Sequence, residues 1–297
     1  MSKLGSEQDR QTTEAYRKGG LRLATAGTRS PIVAPVTRFL LGLPVFILPT
    51  QTDEYFAWTI AVPMTAVFLG ACYWSSVMLA LIASRRPLWA QTRVSMAVAL
   101  VFAPLVTAAT FIHLDQFHTD KPIGIIWVIA YGIYPVMLTL VMRRQLREPG
   151  TDPPRSAPLA SWVRGLLITE AVVLVPLGIA MFALPGEFAG EGSLSGLWPW
   201  GLTELTSQVC GAWVLALGVF AASIAWENDD NRVSPYLAAF GVLGLLQAIG
   251  LIREGDDLQW SEPAAYVFVG YLAATFILSA YGLLRSRQTP DPDPVGT

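Results

Sequence analysis

Charged residues are scarce in this chain. Lys, Arg, Asp and Glu make up 14% of its 297 residues, against about a quarter in soluble domains. That shortage excludes an ordinary soluble globular domain, whose surface needs charge. Cysteine is scarcer still: Cys72 and Cys210 are the whole complement, and both fall inside apolar runs. They read as small buried apolar residues, which leaves no disulfide framework and no thiolate metal site. The only histidines, His113 and His118, lie together at the rim of one apolar run, which argues against a membrane haem pair. With Asp115 they stand at i, i+2 and i+5, a spacing that scatters them around a helix and lets them converge only in a loop. No phosphate-binding glycine loop, nucleophile elbow, zinc-helix signature or basic nucleic-acid stripe occurs. No cofactor, metal or nucleic-acid partner is therefore expected. Residues 1–30 are polar and lack the 7–15-residue apolar core of a signal peptide.

What the chain has in abundance is long apolar sequence. It is 53% hydrophobic, with a mean hydropathy of +0.47. Eight runs are expected to span a membrane: 31–49, 57–82, 94–112, 123–142, 162–184, 204–226, 233–252 and 264–284. Each is long enough to cross a hydrocarbon core of about 30 Å as a helix, and only helices or closed barrels satisfy their backbone in lipid. The expected fold is all-α. The first run contains Arg38 and Pro44; if Arg38 marks an interface, that span is short or partly re-entrant. A polar tail (1–30) precedes a first four-helix unit (31–147). A Pro-rich linker (148–161) joins it to a second four-helix unit (162–285), and a short tail (286–297) follows.

The two units read as copies. Trp58-Thr59-Ile60, Met64-Thr65 and Gly70-Ala71 return as Trp200-Gly201-Leu202, Leu205-Thr206 and Gly211-Ala212. The offset is 142 at the tryptophan and 141 from Met64 onward. Self-similarity at a fixed offset points to repeat architecture. Four spans per unit give both copies the same orientation, so their pseudo-two-fold axis runs along the membrane normal, unlike inverted repeats. Counting Lys and Arg by side gives 18 on the side of both termini and 2, Lys121 and Arg253, on the other. That bias puts both termini in the cytoplasm of a multi-pass cell-membrane protein. Ten acids face the outside on this reading. Trp58, Trp198 and Trp200 are expected in an outer aromatic belt, and Trp226 in an inner one.

The segments Trp198-Pro199-Trp200-Gly201-Leu202-Thr203-Glu204-Leu205-Thr206 and Gly211-Ala212-Trp213 resemble a motif of polytopic membrane proteins of bacteria, actinobacteria especially. Phe56-Ala57-Trp58-Thr59-Ile60 and His113-Leu114-Asp115-Gln116-Phe117-His118 resemble the same group. The similarity covers most of residues 31–285. It implies a duplicated membrane fold and a bacterial source, and it implies no activity.

Candidate residues follow from polarity at membrane depth. Glu170 lies eight residues into its run, about 12 Å from the edge. An acid there costs roughly 2.5–3.5 kcal/mol to insert, which marks it as a functional candidate. Glu204, Ser207, Gln208 and Gly211 share one helical face, as do Gly241, Gly244, Gln247 and Gly250. The second unit is the more polar, so a binding site would draw on Glu170, Glu204, Gln208 and Gln247. Ala66 with Gly70, and Ser207 with Gly211, form small-x-x-x-small pairs suited to close helix packing. Three functions fit. The first is a non-enzymatic scaffold or partner-binding protein, meeting lipid and a membrane-protein partner or a second copy. The second is a small-solute or cation permease with its site near Glu170 and Glu204. The third is a membrane enzyme, which would have to gather Glu204, Gln208 and His113 or Asp115 in one concave site.

Overall fold

The computed structural model describes residues 42, 44–86 and 88–286. Both expected terminal tails lie outside the described residues, save Ser286, and so does most of the first apolar run, including Arg38. Its described end, at residues 42 and 44–47, is helical. Seven further helices are long and apolar enough to cross a membrane: α1 (Pro63–Ser84), α2 (Arg93–Ile112), α3 (Pro122–Gln145), α4 (Ser161–Ala183), α5 (Glu204–Glu227), α6 (Asp230–Glu254) and α7 (Pro263–Ser286). The described residues form no strand, so this is an all-helical membrane protein.

Local chemistry sets the helix ends. Pro63, Pro122 and Pro263 open α1, α3 and α7, where the missing N–H costs nothing. Thr203 caps α5 by accepting from the Thr206 N–H, and Thr206 bonds back to the Thr203 N–H. At the other end of α5, Asn228 adopts a left-handed conformation (φ 46°), the usual way for a helix to stop within one residue. Asp229 then caps α6. Proline at the start of α1 also corrects a boundary. The second apolar run reads as helical from residue 57, but the helix begins at Pro63, and Trp58 lies in an extended segment bridged to Phe117.

The aromatic belt needs a larger correction. Trp58, Trp198 and Trp200 are 1%, 5% and 1% exposed, so they do not line a lipid interface. Trp58 packs between Phe117 and Trp127, and Trp200 packs between Trp198 and Phe268. The Trp200 indole N–H donates to Thr65 Oγ1 at 2.8 Å. These rings form a core above the helix ends because the loops that carry them fold back over the bundle. Trp226 is 61% exposed, and the guanidinium groups of Arg93 and Arg155 stack on it at 4.7 and 5.0 Å.

Helix packing is sparse and regular. α4 lies along α5, α7 along α6, and α3 along α2; α2 packs on α5, and α6 on α1. The centre therefore consists of α1, α2, α5 and α6. Tyr73 of α1 and Phe102 of α2 pack on Trp213 of α5, with ring centroids 5.2 and 3.9 Å apart. α3 is the most peripheral helix, with Ile125, Ile129, Ile133, Val136 and Leu140 exposed along it.

Close approach is built on the small residues. A Cβ on Gly211 would sit 2.8 Å from Met181 Cβ and 2.9 Å from the Phe182 nitrogen. A Cβ on Gly70 would sit 2.7 Å from Phe46 Cβ. Each pair thus packs against the segment that precedes its own helix. Ala66 and Ser207 are fully buried beside them, and Ser207 Oγ donates to the Met181 carbonyl at 2.9 Å. The glycine face of α6 is divided. Gly241 and Gly244 meet Ser279 and Thr275 of α7, whereas Gly250 meets Val67 of α1.

Candidate functional site

No hydrogen bond joins any two of the four candidate binding residues. Glu204 opens α5 and is exposed, with its carboxylate near Gly186. Gln208, one turn deeper, is fully engaged. Its Oε1 meets His113 Nε2 at 3.0 Å, and its Nε2 donates to the Phe182 carbonyl at 3.1 Å. Gln116 closes this chain by meeting His113 Nδ1 at 3.2 Å. Asp115 is exposed, and His118 turns away to the Phe56 carbonyl and Thr59. The two histidines and Asp115 therefore serve different neighbours. Gln208 and His113 do meet, as a buried bridge from α5 to the C-terminal end of α2.

Glu170 and Gln247 lie deeper. Glu170 is 7% exposed on α4, and its Oε1 is buried with no hydrogen-bond partner. Gln247 Nε2 donates to the Phe68 carbonyl of α1 at 3.3 Å, while its Oε1 is buried and unpartnered. The Tyr271 hydroxyl of α7 is also buried without a partner. A cavity of about 20 Å³ lies between α1, α2, α5 and α6, lined in part by Cys72, Ser75, Trp213 and Phe240. That is room for about one water molecule. Cys72 and Cys210 are both free and buried.

A second cluster occupies the end of the bundle where α5 turns into α6. Glu227 and Asp229 are fully buried and Arg232 is 2% exposed. Arg232 Nη1 meets Glu227 Oε2 at 2.9 Å, and its Nε lies 3.4 Å from Asp229 Oδ2. Arg93, at the start of α2, pairs with Glu227 and reaches Asp152 at 2.9 Å. The linker seals this end. Arg155 donates to the Glu227 carbonyl at 2.7 Å, and the Ser156 N–H donates to Asp229 Oδ2 at 2.9 Å. The Arg232 guanidinium also bonds the Pro153 carbonyl. Further along, the Tyr281 hydroxyl of α7 donates to Asp230 Oδ2 at 2.8 Å. In low dielectric such charges are tolerated only when each is paired and hydrogen-bonded.

Sequence reading missed both Tyr271 and this ionic cluster. The cluster had a signal: Glu227-Asn228-Asp229-Asp230-Asn231-Arg232 puts four charged residues in a stretch of six between two apolar segments. Arg232 reads there as a topology charge alone. Tyr271 had none, since an aromatic in an apolar run looks lipid-facing.

No family model, curated protein or solved structure matches this chain.

Proposed function

We propose that this chain is a non-enzymatic scaffold or partner-binding protein of a bacterial cell membrane, built as two parallel four-helix repeats with both termini in the cytoplasm. The observation that carries the reading is the closed centre. α1, α2, α5 and α6 pack around a cavity of about 20 Å³ whose lining includes none of Glu170, Glu204, Gln208 and Gln247. The repeat is supported by matched contacts. α2 on α5 and α6 on α1 are the same pairing with the halves exchanged, as are α2 on α3 and α6 on α7. Trp58 on Trp127 and Trp200 on Phe268 match at offsets of 142 and 141, both edge-on, at 5.1 and 5.4 Å. The cytoplasmic assignment rests on the arginine bias, and the bacterial source on the resemblance of the tryptophan segments. The partners are lipid and another membrane protein or a second copy.

A small-solute or cation permease is the second reading, favoured by the buried, unpartnered Oε1 of Glu170 at membrane depth. One experiment separates the two. Cys72 and Cys210 are the only thiols and line or flank the centre. On the scaffold reading both resist a membrane-impermeant maleimide until the protein is denatured. Rapid labelling of Cys72 in the folded protein would reveal a water path through the centre and overturn that reading.

A further inference from the structure

The end of the bundle where α5 turns into α6 carries more arginine than its acids neutralise. Setting the Arg285–Asp230 pair apart, four arginines (Arg93, Arg155, Arg164 and Arg232) share this corner with three carboxylates (Asp152, Glu227 and Asp229). All three carboxylates are taken by Arg93 and Arg232. Arg155 and Arg164 are exposed. Among the described residues neither forms an ion pair. The surplus positive charge of the corner therefore sits on its two outward arginines.

Both are nevertheless fixed in place. Arg155 Nε donates to the Glu227 carbonyl at 2.7 Å, and Arg164 Nε donates to the Ala225 carbonyl at 3.2 Å. These carbonyls belong to the last turn of α5 and stand about 3 Å apart along its axis. Trp226 comes between them in the chain. It is 61% exposed, and the Arg155 guanidinium lies 5.0 Å from its ring centroid. Arginines that cap a helix end in this way use Nε alone here. The Nη groups of both have no acceptor among the described residues.

An apolar strip runs from these arginines along the helices. Arg164, Ile168 and Val172 recur at i, i+4 and i+8 on α4, one face of the helix, and all three are exposed. On α5 the exposed residues beyond Glu204 are Ala222 and Trp226, one turn apart. Gly218, a turn earlier, is closed over by Val175 of α4, so the close contact of the two helices gives way at Ala222. Arg164 is in the first turn of α4 and Trp226 in the last turn of α5, the level at which membrane spans meet lipid headgroups. Guanidinium groups bind phosphate through paired N–H donors. An acidic soluble partner would have no use for the apolar strip beside the charge. We propose that this corner binds an anionic phospholipid, with its phosphate on Arg155 and Arg164 beside Trp226 and an acyl chain along Ile168, Val172 and Ala222. The site rests on α4 and α5 spanning a membrane and gives the lipid partner a place on the chain. It serves a scaffold and a permease alike.

The test is native mass spectrometry of the purified full chain released from nanodiscs of phosphatidylcholine with a minority of phosphatidylglycerol. The parent is expected to retain phosphatidylglycerol in preference. The double variant Arg155→Gln/Arg164→Gln should weaken that retention by roughly 30-fold, about 1 kcal/mol for each arginine. Arg143→Gln/Arg144→Gln removes the same charge from the exposed last turn of α3 and should leave retention unchanged. Equal loss in the two double variants would reduce the effect to net charge and overturn the proposal, as would a parent with no preference. Glycerol phosphate, which has the head without the chains, should not displace the lipid; displacement would overturn the acyl-chain contact. If the first double variant does not fold, brominated lipids test the parent directly. Brominated phosphatidylglycerol should quench tryptophan fluorescence more than brominated phosphatidylcholine at the same mole fraction, and the excess should vanish in Trp226→Phe. Equal quenching, or an excess that survives in Trp226→Phe, would place the lipid elsewhere and overturn the site. Thiol labelling of Cys72 responds to none of this, so failure here leaves the scaffold reading intact.

Discussion

A single added methyl group tests the packing most directly. A Cβ on Gly178 would run into the backbone of Leu215 and the Gly211 carbonyl, whereas one on Gly165 meets nothing within 4 Å. Both glycines lie in α4. Gly178→Ala is expected to destabilise by about 1–3 kcal/mol through overpacking. Gly165→Ala is expected to be neutral, or stabilising by up to about 1 kcal/mol from helix propensity. Thermal unfolding in nanodiscs would rank the two, and an equal effect would contradict the close approach of α4 to α5. Trp200→Phe removes the indole N–H that Thr65 accepts and should lower stability by about 1 kcal/mol or more. The small pairs Ala66/Gly70 and Ser207/Gly211 were legible as packing positions, because small residues four apart have one obvious use in lipid. What each pair packs on was not legible. The partner depends on which segment folds back, and an isolated sequence does not carry that. The tryptophans misled for a related reason: a Trp near a helix end reads as an anchor unless loops are known to cover it.

Among the elements, the α5–α6 turn and the linker behave as one unit. Glu227 has two arginine partners, one from each half, and no exposure to solvent. Glu227→Gln leaves Arg232 buried with a reduced set of countercharges and should cost on the order of 3–5 kcal/mol. The pair between Arg253 and Glu254 is partly exposed, so Glu254→Gln should change stability by less than about 1 kcal/mol. Raising salt should shift only the second value, since buried pairs are screened far less. A Glu227→Gln variant as stable as the parent in denaturant would show that the ionic cluster contributes nothing to stability. Element existence was the most legible level. Seven apolar runs became seven helices whose ends moved by a few residues, the largest change being at Pro63. The docking of residues 152–160 was hidden, because a Pro-rich stretch between two apolar units reads only as a connector.

At the scale of the whole molecule, membrane character was plain from composition, while the contacts between the halves came only from the structure. Those contacts lie in long-range pairings such as Tyr73 with Trp213 and Arg93 with Glu227, separated by well over a hundred residues. Replacing residues 152–156 by a Gly/Ser run of equal length would keep the chain connected and remove the Asp152, Pro153, Arg155 and Ser156 contacts. Arg232 and Asp229 would each lose partners, and the unfolding temperature should fall by several degrees. An unchanged temperature would mean the linker is only a tether. The same arrangement bears on biosynthesis. Arg93 is made long before Glu227, and among the described residues Asp152 is its only ion-pair partner from the earlier part of the chain. The nascent first half thus carries an open claim on the second. Quality control that recognises unpaired charge at a membrane surface would be able to tell a half-made chain from a finished one by this corner alone.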